Sequence, residues 1–91
     1  MAKVIFNLYA SGIGSGSTRV HHGDTIEFMN FDTRFHRLEV RPTGLVSSSR
    51  FSINPGGKVI IFVLRVPQET GGSIVDNPGV RQTVHDIIVL P

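Results

Sequence analysis

The chain has 91 residues, a formal net charge of +2, 40% hydrophobic residues and neither Cys nor Trp. That length holds a single domain, 1–91, and the missing Cys excludes a disulfide, a thiolate nucleophile and any Cys-ligated zinc or iron–sulfur site. Charged residues are only 18%, against about 25% in typical domains, so no nucleic-acid partner is expected and the pI near 9.7 reflects a two-charge excess with little to buffer it.

Apolar and polar residues alternate along the chain, and no window carries a helical period. Ala2, Val4, Phe6 and Leu8 alternate with Lys3, Ile5, Asn7 and Tyr9, which predicts a first strand over 2–9. The same segment lacks a sustained apolar run, so it is not a signal peptide, and no stretch is long enough to span a membrane. The chain reads as cytoplasmic as written, or as periplasmic or extracellular if a leader has been removed. SGIGSGS at 11–17 is a loop, 18–21 a short strand, and HGD at 22–24 a turn into the strand DTIEFMNF at 24–31. FDT at 31–33 turns the chain and RFHRLEVR at 34–41 returns it. A loop follows, then the short extended RFSI at 50–53. NPGG at 54–57 places Pro and Gly at the central positions of a type II turn. KVIIFVLRV at 58–66 is the strongest strand, PQETGG at 67–72 breaks it, and SIV at 73–75, DNPG at 76–79 and TVHDIIVLP at 83–91 close the chain. Seven or eight short strands separated by turn signals predict an antiparallel β-sandwich.

Four features in one order carry a family resemblance: VHHGDTIEF at 20–28, Asn30 followed by His36 in RFHRLEV, FSINPGGKVIIF at 51–62, and VDNPGVRQTVHDIIVL at 75–90. Together they resemble the cupredoxins, the blue-copper Greek-key sandwiches. Such proteins show a Gly-Asp turn into a strand ending in Asn, then a copper-ligand His, and a C-terminal loop with the other ligands. The resemblance implies an all-β Greek-key fold. Set without gaps on the ligand loop, Pro78-Gly79 match the family's Pro-Gly. Val75 then stands at the Cys position, Val80 at the His position and Val84 at the Met position, so only His36 remains of the four ligands. A type 1 site needs two His and a Cys; the expectation is a cupredoxin-like frame without that centre, closed at this end by apolar packing.

His36 shares a face with Leu38 and Val40, which point inward. It is either a partly buried His bonded to a loop carbonyl or a remnant metal ligand. His85 is the candidate second ligand, but the gapless register turns Val84, Asp86, Ile88 and Leu90 inward and His85 outward; a slip of one residue would bring it in. His21 and His22, beside a turn, are two further candidates for adventitious zinc or copper. Ser47, Ser48 or Ser49 with His85 and Asp86 do not make a triad, because strand neighbours face opposite sides, so no enzyme is expected. The strand at 58–66 is apolar on both faces. Ile60, Phe62, Leu64 and Val66 form one; Val59, Ile61 and Val63 form the other and, with Ile5 and Tyr9, make a candidate interface unless a loop covers them. The expected function is a non-catalytic binding or assembly module without a cofactor, acting as a homo-oligomer or on a protein partner. The alternative is a copper or zinc protein ligated by His36 and His85.

Overall fold

Alternating sequence becomes eight strands: β1 (Lys3–Leu8), β2 (Ser17–His21), β3 (Thr25–Asn30), β4 (His36–Arg41), β5 (Arg50–Ile53), β6 (Lys58–Phe62), β7 (Gly71–Asn77) and β8 (Thr83–Leu90). They are seen in a computed structural model that describes residues 2–64, 71–77 and 82–90. One sheet has the order β1-β3-β6 and the other β2-β8-β7-β4-β5. Their inner faces enclose a core in which Phe6 stacks on Phe28 at 5.5 Å and Phe28 meets Phe51 at 5.3 Å. Among the described residues no helix is long and apolar enough to cross a membrane.

The sandwich is as expected, but its sheets are mixed. β1 runs parallel to β3, and β2 parallel to β8; the remaining pairs are antiparallel. The predicted turn at 54–57 forms as its residues dictate. Gly56 has φ +75, and the Gly57 amide donates to the Asn54 carbonyl at 2.8 Å, the φ > 0 at the third position that a type II turn requires. Gly72 lets β7 lie against its neighbours, since a Cβ there would run into the Arg41 carbonyl and the Leu45 side chain.

β6 turns the other way from the expected interface. Ile61 and Val63 are 1% and 3% exposed, and Val59 is partly buried against the core. The opposite face carries the exposed side chains: Ile60 at 46%, Phe62 at 51% and Leu64 at 40%. With both faces apolar, alternation defined the two sets without saying which was inner. Val59, Ile61 and Val63 therefore build the core, while Ile5 and Tyr9 are exposed as expected. Val66 lies outside the described residues.

Candidate functional site

Asn30 closes β3 and is 1% exposed. Its side-chain amide donates to the carbonyls of Arg34 and Ile53, each at 2.9 Å, while its Oδ1 accepts from the Asp32 amide at 2.8 Å. One buried side chain thus pins the β3–β4 connection to the end of β5. Asp32 stands in that connection, four residues before His36.

His36 opens β4 and points inward, at 0% exposure. Its Nδ1 lies 2.8 and 2.9 Å from the two carboxylate oxygens of Asp76, and its Nε2 lies 2.9 Å from Asp32 Oδ2. Two N–O lines need two protons, whichever atom holds each. With those protons the three side chains carry one net negative charge, which Arg34 balances: its Nε and Nη2 both stand 3.1 Å from Asp32 Oδ2. Arg34 also donates to the Ala10 carbonyl at 3.0 Å, tying in the β1–β2 connection. Burial pushes the Asp76 carboxyl above the usual carboxylate value, with the His36 contact opposing it. The His36 hydrogen bond holds Asp32 below that value.

The gapless register is therefore off by one residue at this end. Asp76, not Val75, faces His36. Val75 is in register with Glu39 and Val84 on the outer face of the sheet, where it is buried at 6% exposure while Val84 is 44% exposed. Val80 and the Pro78-Gly79 pair lie outside the described residues. An ion-paired cluster stands where apolar closure was expected.

The same slip places His85. It pairs with buried Ile74 and faces inward, with Ile87 and Val89, whereas Asp86 and Ile88 face out. Its Nε2 is 2.8 Å from the Thr18 hydroxyl, its Nδ1 donates to the Gly14 carbonyl at 3.3 Å, and its ring meets Phe6 edge-on at 5.1 Å. His85 and His36 are not brought together, because β7 stands between β8 and β4. His22 bonds the Leu64 carbonyl through Nδ1 at 3.0 Å, and His21 lies 3.8 Å from Asp24. Asp24 is an overlooked structural residue: it accepts from the amides of Ala2 at 2.9 Å and His21 at 2.8 Å. Those two bonds lower its pKa.

These residues do not fit a type 1 copper centre, which requires a Cys thiolate that the sequence lacks. Both nitrogens of His36 are engaged with carboxylates at hydrogen-bond length. Among the described residues no three His, Cys, Asp or Glu side chains group to hold a metal ion.

No protein-family model matches the chain, and no curated protein matches it. Solved structures do. A Met-to-Gln variant of amicyanin in its Cu(I) form superposes with a TM-score of 0.69 at 10% identity, covering 97% of this chain and 82% of that one. A reduced Pro-to-Gly variant of amicyanin gives 0.68 at 10% identity, covering 96% and 81%. A purple cupredoxin from Nitrosopumilus maritimus gives 0.57 at 13% identity, covering 81% and 77%. The topology, the inward His36 after a strand ending in Asn30, and these superpositions agree: the chain has the cupredoxin fold.

Proposed function

We propose that the protein is a non-catalytic assembly module on a cupredoxin frame, without a blue-copper centre, and that it self-associates through the outer face of the β1-β3-β6 sheet. The observation that supports this reading is the composition of that face. Register lines up Ile5, Glu27 and Ile60 across it, with Phe62 beside Thr25 in the next row. Ile5 and Phe62 are 52% and 51% exposed. At its end Tyr9 stacks on Phe31 at 5.7 Å, and both are exposed. With aromatic side chains worth roughly 150–250 Å² each, such half-exposed residues present on the order of 500 Å² of apolar surface, at the upper end of the largest patch that a typical monomer exposes, a size that is often functional.

A second copy suits this face. Among the described residues its one carboxylate, Glu27, is already held by Lys3 at 3.3 Å and Lys58 at 4.0 Å. The centre therefore carries no unmatched anion, and its charges are confined to the two lysines that flank Glu27. The exposed edge of β6 is closed by the chain at 45–47: the Ser47 amide donates to the Phe62 carbonyl at 2.9 Å, and the Leu64 amide to the Leu45 carbonyl at 2.9 Å. On this side the proposed contact is made through side chains, face to face, as sheets pack in a sandwich.

Light scattering on the full chain tests this. The mass should rise from 10.0 kDa toward twice that with concentration, and Phe62→Lys should hold it at the monomer value. A monomer at every concentration overturns the reading. Titration with Cu²⁺ gives an independent check: no intense thiolate charge-transfer band is expected. One-to-one binding lost in His36→Ala would favour the metal-binding alternative.

A further inference from the structure

On the opposite side of the molecule, the outer face of the five-stranded sheet holds an open groove of about 500 Å³ along β4. Arg37, Glu39 and Arg41 alternate along its centre, and Arg50 stands beside Glu39 in register. Glu39 accepts from Arg41 Nε at 2.9 Å and Nη2 at 2.7 Å, and from Arg50 Nε at 2.9 Å. These bonds hold two guanidinium groups in place while leaving most of their N–H groups free to donate. Arg37 lies 5.5 Å from the Phe35 ring centroid and, among the described residues, has no carboxylate partner. Asn77 and Ser52 flank Arg37 in the same row.

Three cations thus share the groove with one carboxylate. The described residues of the groove therefore carry a formal excess of two positive charges, as large as the net charge of +2 on the whole chain. We infer that this groove is a docking site for an extended acidic segment of a protein partner. Its openness argues for a chain segment over a small anion: the Arg41 and Arg50 side chains are 59% and 78% exposed, and small-molecule sites bury most of their ligand. Its length fits as well. Arg37 and Arg41 lie four residues apart on one strand face, about 13 Å, a span that carboxylates on one face of an extended peptide match. Among the described residues only Phe35 and the partly buried Phe51 offer rings here, not the row of stacking aromatics that single-stranded nucleic acid uses.

Fluorescence anisotropy with a labelled peptide of alternating Glu and Ser tests the site on the full chain at low ionic strength. The peptide should bind, and Arg37→Glu should weaken it by about tenfold or more. The same peptide with Gln for Glu, and a single-stranded oligothymidine of equal charge, should each bind at least about tenfold more weakly. No binding, an affinity unmoved by Arg37→Glu, or tighter binding of the oligonucleotide overturns the proposal. Because Arg37 lies on the other sheet from Phe62, this result is independent of self-association, and Arg37→Glu should leave the mass by light scattering unchanged.

Discussion

Removing Asp76 leaves His36 Nδ1 without an acceptor at a position closed to solvent. Stranding a buried, paired group is among the costlier single changes, so Asp76→Ala should lower stability by about 3 kcal/mol. Asp76→Asn should cost less, because its amide oxygen still accepts one bond. Urea unfolding of both variants measures the difference, and equal midpoints for wild type and Asp76→Ala would show that the pair contributes nothing. The pH response follows from four carboxylates. Asp24, Asp32 and Glu39 are held below their ordinary values, by backbone amides, by His36, and by Arg41 and Arg50 respectively. Each adds stability above its unfolded value that is lost as pH falls through the folded one. Asp76 acts oppositely, since burial raises it: its contribution is complete below the unfolded value and fades as pH rises through the folded one. Three groups against one predict that stability falls below about pH 4, and that Asp32→Asn flattens the fall in thermal melts followed across pH. The sequence marks His36 by its place after Asn30, but it hides the partners. Asp32 and Asp76 both read as turn residues, and an Asp in a turn signal looks the same whether it caps its own loop or reaches an imidazole forty residues away.

At the scale of elements, turn chemistry was the most legible feature. Asn54-Pro55-Gly56-Gly57 carries its conformation in its residues, and Gly56 at φ +75 leaves open space where a Cβ would go. Gly56→Ala should therefore cost about 1 kcal/mol through backbone strain alone, with no clash to add. Gly72→Ala should cost more, because its Cβ meets the Arg41 carbonyl. Comparing the two midpoints in urea separates strain from collision. Strand existence was equally legible, but strand parity was not. Period-two alternation identifies two faces and orients them only when one is polar. In β6 and β8 both faces are apolar: the core takes the face of β6 expected to lie outside, and in β8 it takes the slipped register that brings His85 in. Direction was hidden for a related reason: nothing in a strand's own residues says that its neighbour runs parallel, so β1–β3 and β2–β8 emerge only from the topology.

The molecule as a whole presents two outer faces of opposite character. One is apolar, with Glu27, its single carboxylate among the described residues, paired within its own sheet. The other gathers three arginines around one glutamate in a single groove. Salt should separate them. Screening shortens the Debye length from about 10 Å at 0.1 M to about 3 Å at 1 M, which weakens contacts between exposed charges, while sulfate strengthens apolar burial. Ammonium sulfate added stepwise should therefore leave the self-association constant unchanged or raise it, and should lower the affinity for the acidic peptide in the same samples. Sedimentation velocity reads the first and anisotropy the second. If both weakened together, the charged rim of Lys3 and Lys58 would be holding the copies together, and the apolar side chains Ile5, Ile60 and Phe62 would be bystanders. If both strengthened, the groove would be binding its peptide through Val75 and the stems of its arginines, with the guanidinium charge playing no part.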